Sequence, residues 1–103
     1  MDTSYLTPMA HNCIWIANDA TDVLKSELGA ECSHYRSEDA YLQGILAYVK
    51  EIEEDPEDYL DGWNLLDQTN IKIFRQKLQV LLAHIDKTIK TPIAERGKPE
   101  YSL

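Results

Sequence analysis

Glycine and proline are scarce in this 103-residue chain, four of each, and cysteine is scarcer, with two. Glycines that occur singly cannot build a phosphate-cradling loop, which needs several backbone N–H groups brought close together. Two cysteines exclude a disulfide framework of the kind that holds small secreted domains together. Bases are also few: 10 Lys and Arg stand against 18 Asp and Glu, a formal charge of -8. That deficit argues against nucleic acid as a partner, because phosphate contacts need a cationic face. It argues equally against an anionic membrane surface. No apolar run approaches the roughly 20 residues that span a bilayer. The first residues, Met1-Asp2-Thr3-Ser4, precede any base, the first being Lys25. They do not read as a secretory leader, and the expected location is cytoplasmic.

What is present is a core. Apolar residues make up 44% of the chain, enough for one domain, and they recur at helical rather than alternating spacing. Thr7-Pro8 opens a first helix, since Thr is a good N-cap and proline at N1 gives up an N–H that has no partner anyway. Its stripe is Met9, Cys13, Ile16, Ala20, Val23 and Leu24, and Gly29 is placed to end it. Ser37 caps a second helix, with Glu38 and Asp39 in its first turn and Leu42, Ile45, Val49 and Ile52 as its stripe. Gly44 lies inside that helix at a cost of about 1 kcal/mol relative to alanine. Pro56 breaks the pattern, with Asp55 as the N-cap of a short helix. The last helix carries Ile71, Phe74, Leu78, Leu81, Leu82, Ile85 and Ile89, and Pro92 ends it.

The expected fold is all-α: an antiparallel bundle of three long helices over about 8–28, 38–54 and 70–90, plus one short helix near 57–66. Residues 1–92 form the single domain and 93–103 a flexible tail. Trp15 and Leu46 are surplus to the core stripes and offer a contact for a second copy.

Charge is segregated along the chain. Residues 1–71 hold 15 acids against three bases, and residues 72–103 hold seven bases against three acids. No base falls between Lys50 and Lys72, while Glu51, Glu53, Glu54, Asp55, Glu57, Asp58, Asp61 and Asp67 do. Such a run can be a solvated face. It can also dock a cationic protein, because steering speeds encounter and aromatic anchors supply binding energy. The expected contact residues are Glu51, Glu54, Asp55, Glu57, Asp58, Tyr59, Asp61 and Trp63. Tyr59 and Trp63, four apart, would share a helix face. As an EF-hand loop the segment fails: with Gly62 at the sixth position, Tyr59 and Gln68 replace two oxygen ligands.

Two further constellations bear on chemistry. His11-Asn12-Cys13 mirrors Cys32-Ser33-His34, the residue types of a Cys2His2 zinc site. On one unbroken helix over 8–28, Cys13 lies about 22 Å from the far end. Cys32 reaches back at most about 14 Å. The expectation is therefore no metal, no disulfide and no cofactor. The segment Leu81-Leu82-Ala83-His84-Ile85-Asp86 is similar over six residues to the phosphohistidine segment of the lactose/cellobiose-type IIA proteins of the sugar phosphotransferase system, whose acidic residue comes three positions after the histidine rather than two. Glu51-x-x-Glu54 resembles the carboxylate pairs with which helical nucleotide pyrophosphatases hold magnesium, though a second pair on a following helix is missing. No nucleophile elbow or triad is visible. The leading expectation is a small acidic interaction module of adaptor, inhibitor or immunity type. The alternatives are a phosphohistidine carrier or metal-dependent enzyme, and a homo-oligomeric structural protein.

Overall fold

The computed structural model describes residues 5–97, all of it helix, turn or loop without a strand. Six α-helices follow in order: α1 (Pro8–Ala20), α2 (Asp22–Glu31), α3 (Glu38–Glu54), α4 (Pro56–Gly62), α5 (Ile71–Lys90) and α6 (Ile93–Arg96). Single 3-10 turns occupy Cys32–His34 and Leu66–Gln68. The first five α-helices have an N-cap side chain that accepts a backbone N–H two or three residues on. Thr7 accepts from Ala10, Ser37 from Ala40, Asp55 from Asp58 and Asn70 from Ile73.

The expected long helix over 8–28 is two helices. Thr21 leaves helical space at φ -167°, ψ 146°, ends α1, and accepts Val23 N–H on its own hydroxyl to start α2. The physical cause is the run Asn18-Asp19-Ala20-Thr21-Asp22, whose short polar side chains compete for backbone groups and favour caps over helix interiors. Gly29 does not end a helix; it is buried inside α2. After the break α2 folds back along α1, and Tyr5, just before α1, donates its hydroxyl to the carbonyl of Cys32 at 2.7 Å.

Helix directions follow from ties at the ends. Arg75, early in α5, donates to the carbonyl of Glu53 at the end of α3. Arg96, after α5, bonds Glu38 and Asp39 at the start of α3. These two helices are therefore antiparallel. His84, late in α5, bonds the carbonyl of Met9 at the start of α1, so α1 also opposes α5. α5 packs on both α1 and α3, and α2 packs on α1. Phe74, Leu78, Leu81 and Ile85 of α5 fill the centre against Leu42, Ile45, Val49 and Ile52 of α3. Ala10, Cys13, Ile14 and Ala17 of α1 close another side, Leu24 and Leu28 of α2 a third, and Leu60 plugs the end under α4.

Gly44 is explained by an aromatic ring. A Cβ there would fall 2.1 Å from the Tyr35 hydroxyl oxygen and 2.5 Å from its ring carbon Cζ. Tyr35 lies across the missing side chain, with its ring edge-on to Tyr41 at 6.2 Å.

The expected flexible tail from residue 93 does not describe 93–97. Ile93–Arg96 form a helical turn, and Arg96 is 4% exposed. Its guanidinium donates to Glu38 (3.1 Å), Asp39 (2.7 Å) and the carbonyls of Ile89 (3.1 Å) and Thr91 (2.8 Å). Burial opposes the charge on Arg96, but the hydrogen bonds and charges of Asp39 and Glu38 outweigh it and raise its pKa. Glu38, equally buried, also accepts the N–H and hydroxyl of Thr7. The starts of α1 and α3 are thus locked to α6. The remaining expected tail, residues 98–103, lies outside the described residues, as do residues 1–4.

Candidate protein-interaction surface

The acidic stretch forms a corner between α3 and α4. α3 delivers Glu51, Glu53 and Glu54 in its final turn. Asp55 then turns the chain and caps α4, and Pro56 is buried at N1. Glu57 and Asp58 fall in the first turn of α4, where the helix dipole favours them. α4 ends on a Schellman motif. Asn64 takes the left-handed conformation at φ 58°, Leu65 N–H reaches back to the Leu60 carbonyl at 2.8 Å, and Asn64 N–H to that of Asp61 at 3.0 Å.

The three carboxylates in the last turn of α3 have no such support. That turn contains no base, and negative charge at a helix C-terminus costs about 0.3–1 kcal/mol per exposed group. Arg75 offsets one of them, meeting the Glu53 carboxylate at 3.4 Å, and Gln79 donates to Glu53 as well. The side chains of Glu54, Glu57, Asp58 and Asp61 are exposed and make no hydrogen bond or ion pair among the described residues.

The two aromatic candidates separate. Trp63 is the C-cap residue of α4 and is 48% exposed. Tyr59 faces inward instead, half-buried and stacked on Phe74 with ring centroids 6.0 Å apart. Its hydroxyl donates to Glu27, whose other oxygen accepts from Tyr48 at 2.7 Å. One carboxylate of α2 therefore pins α3 and α4. Burial first, then the hydrogen bond to Glu27 and its charge, push both phenols well above their usual range. The shared-face expectation for Tyr59 and Trp63 does not hold, because α4 stops at Gly62 and Trp63 lies past its end.

The other candidates sit elsewhere. Trp15 is 52% exposed with Lys25 Nζ over its ring, 4.6 Å from the centroid, and Leu46 is half-buried against the core. His84 is half-buried with Nε2 2.8 Å from the Met9 carbonyl. A carbonyl only accepts, so that nitrogen carries the proton. Asp86 turns away and pairs with Lys90 at 2.8 Å. His84 and Asp86 are not brought together.

The separation expected for the two cysteines is overturned by the break at Thr21. With α2 folded back, both thiols reach the buried core around Tyr41, whose phenol is pushed up first by burial and then by its contacts with Cys32 and Cys13. Tyr41 donates to the Leu28 carbonyl at 2.8 Å. Burial, with the charge of Glu38 adding to it, pushes the Cys13 thiol up to about 12. The histidines of the mirror pair do not follow: His11 lies beside the Trp15 ring, and exposed His34 pairs with Glu31. Among the described residues no three His, Cys, Asp or Glu side chains are placed to hold a metal ion, and no helix is long and apolar enough to cross a membrane.

Sequence periodicity gave no hint of the Arg96–Glu38–Thr7 network or of the Glu27 pin, because their partners lie 21 or more positions apart. No family model, no curated protein and no solved structure matches the chain.

Proposed function

We propose that this protein is an interaction module whose α3–α4 corner binds a basic surface on another protein. The observation that carries the reading is the treatment of charge in the last turn of α3. Acids stand there against the helix dipole, in a segment that has no base of its own and that also carries the half-exposed Trp63 past the end of α4. A sequence selected only for stability would place Lys or Arg at those positions. Glu51, Glu54, Asp55, Glu57, Asp58 and Asp61 supply the field, and Trp63 supplies the apolar anchor. Tyr59 positions the corner through Glu27 and Phe74 and does not itself reach the partner.

The test is affinity capture from lysate of the native host at low and high salt. Wild type is compared with a triple variant, Glu54→Lys, Asp58→Lys and Asp61→Lys, and with Trp63→Ala. Circular dichroism first checks that each variant is folded. Charge reversal is expected to abolish capture of basic proteins. Trp63→Ala is expected to weaken it while leaving the salt dependence in place. Capture that survived charge reversal, or that ignored salt, would refute the reading.

A further inference from the structure

The core faces of α1 and α2 are one seam cut in two. Ala10, Ile14 and Ala17 of α1 and Leu24 and Leu28 of α2 are buried. With Thr21 between them they are spaced alternately four and three residues apart, the interval that keeps a seam on one side of a single helix. Thr21 is the one residue between the two helices. Its N–H donates to the Ala17 carbonyl at 3.1 Å and its carbonyl accepts from Lys25 at 3.2 Å, both in helical register. What favours the bend is the cap, Val23 N–H on the Thr21 hydroxyl at 3.3 Å. Turning Thr21 into helical space would offer the N–H groups of Asp22, Val23 and Leu24 the carbonyls of Asn18, Asp19 and Ala20. The product is one helix over 8–31, about 36 Å long.

Contacts across the bend close the hairpin: Tyr5 donates to the Cys32 carbonyl, and Lys25 lies over the Trp15 ring. α2 is fixed to its own body, since Glu27 accepts from Tyr48 and Tyr59. α1 is tied on through Thr7 to Glu38 and through its Met9 carbonyl to His84. The α1 of a second copy can make every one of these contacts unchanged.

We infer that Thr21 is an exchange hinge: α1 opens about it, becomes continuous with α2, and seats on α5 of a second copy of this chain, whose own α1 returns the same contacts in a two-fold, domain-swapped dimer. The occupant follows from the geometry. α2 folds back along α1 in the hairpin, so two opened helices laid antiparallel, with their Thr21 residues at the axis, restore both α1–α2 contacts. The groove that an opened α1 vacates carries the partners of α1, Glu38 and His84 among them. The exchange uses none of the residues of the acidic corner and does not depend on the docking reading.

The experiment refolds the whole chain from urea at low and at high protein concentration, then measures mass by sedimentation after dilution to one common concentration. A swapped dimer parts only by pulling α1 out of the core, so wild type refolded concentrated is expected to retain a dimer that wild type refolded dilute lacks. Thr21→Ala removes a cap that favours the bend about fivefold, and two caps open per dimer, so the equilibrium is expected to move about 25-fold toward the dimer. Asp22→Pro closes the hinge. Proline suits the first position of α2 and holds the residue before it extended, as Thr21 is, so this variant is expected to be monomeric throughout. Exchange itself is read from spin labels on Asn12→Cys and Ala30→Cys, both exposed, the native Cys13 and Cys32 being buried. With labelled chain diluted into unlabelled, the separation within one chain is expected to lengthen in the dimer to about 27 Å, the length of continuous helix between the labels. A wild type that forms no dimer after concentrated refolding overturns the exchange. So does a dimer that persists in Asp22→Pro, or one whose labels keep their monomer separation, since either is an association of closed chains.

Discussion

Replacing Arg96 should destabilise this protein more than any change in the acidic corner. Arg96 donates four hydrogen bonds from a site that is nearly closed to water, and Glu38 beside it is as deeply buried. Truncating one partner of a buried ion pair typically costs about 3–5 kcal/mol, because the other charge is left without compensation. Glu38 keeps two donors from Thr7, and Asp39 is mostly exposed, so Arg96→Met belongs at the low end, about 3 kcal/mol. Arg96→Lys should cost nearly as much, since one ammonium cannot reach two carboxylates and two carbonyls from the geometry of a planar fork. The source of the cost is separable. In a Glu38→Gln background no buried charge remains to be orphaned, and Arg96→Met should then cost less than half as much. Urea unfolding followed by far-UV circular dichroism measures each of these proteins, and ending the chain after Pro92 should cost at least as much as Arg96→Met. If Arg96→Met lay within about 0.5 kcal/mol of wild type, as ordinary surface changes do, the guanidinium would not be the lock described.

Gly44 and Tyr35 form a second test, in which the sign depends on background. Gly44→Ala alone gains about 1 kcal/mol of helix propensity but pushes the Tyr35 ring off α3, so the expected result is no gain or a net loss; in a Tyr35→Ala background the same change should stabilise by up to about 1 kcal/mol. Stabilisation in both backgrounds, read from urea midpoints, would show that Tyr35 does not depend on the missing side chain. Alkaline pH gives a third. The Cys13 thiol titrates near 9.0 when unfolded and is held up to about 12 by burial, so the native state keeps a proton that the unfolded chain releases. Its contribution is complete below pH 9 and is lost by about 1.4 kcal/mol per pH unit between 9 and 12. Tyr41, Tyr48 and Tyr59, also shifted up, add to the fall above pH 10. Cys13→Ala should flatten the pH dependence of stability between about 9 and 10. An unchanged slope there would show that Cys13 is not the group responsible.

What could be read from the sequence was local. Thr7, Ser37 and Asp55 cap the helices they were expected to cap, the α3 stripe is buried, and so are Phe74, Leu78, Leu81 and Ile85 of the α5 stripe, with Ile71, Leu82 and Ile89 half-buried. The failure at Thr21 shows the limit of periodicity. A one-residue cap barely shifts the phase, so Ala20, Val23 and Leu24 continue the stripe of α1 although the chain reverses between them. The polar run 18–22 carried the breaking signal and was outweighed by an uninterrupted pattern. The same break brings Cys13 and Cys32 to the core around Tyr41, where a straight helix would have kept them apart. The burial of Arg96 had a different cause. A short polar segment after Pro92 looks loose until its partners are known, and those partners stand 57 and 58 positions earlier. At the corner, the composition was legible while the direction of each aromatic was not, since that depends on where α4 stops.

The fold treats its carboxylates in two ways. Glu38 is enclosed and given Arg96 and Thr7; Glu27 is given two tyrosine hydroxyls, which satisfy its oxygens without cancelling its charge. Neutral donors in the second case keep that side of the molecule negative. The corner goes further: Glu54, Glu57, Asp58 and Asp61 are left to solvent, although α5 carries lysines enough to neutralise them had it been turned to do so. Its register instead points Phe74, Leu78, Leu81 and Ile85 at the core and sends Lys72 and Lys77 to the far face with Ile73 and Val80. Packing fixes that rotation, since turning α5 to bring the lysines over the acids would expose four buried apolar side chains at about 1.5–3 kcal/mol each. Opposite charges thus remain apart within one chain because the core holds them apart, and neutralising the corner falls to a surface that another molecule presents.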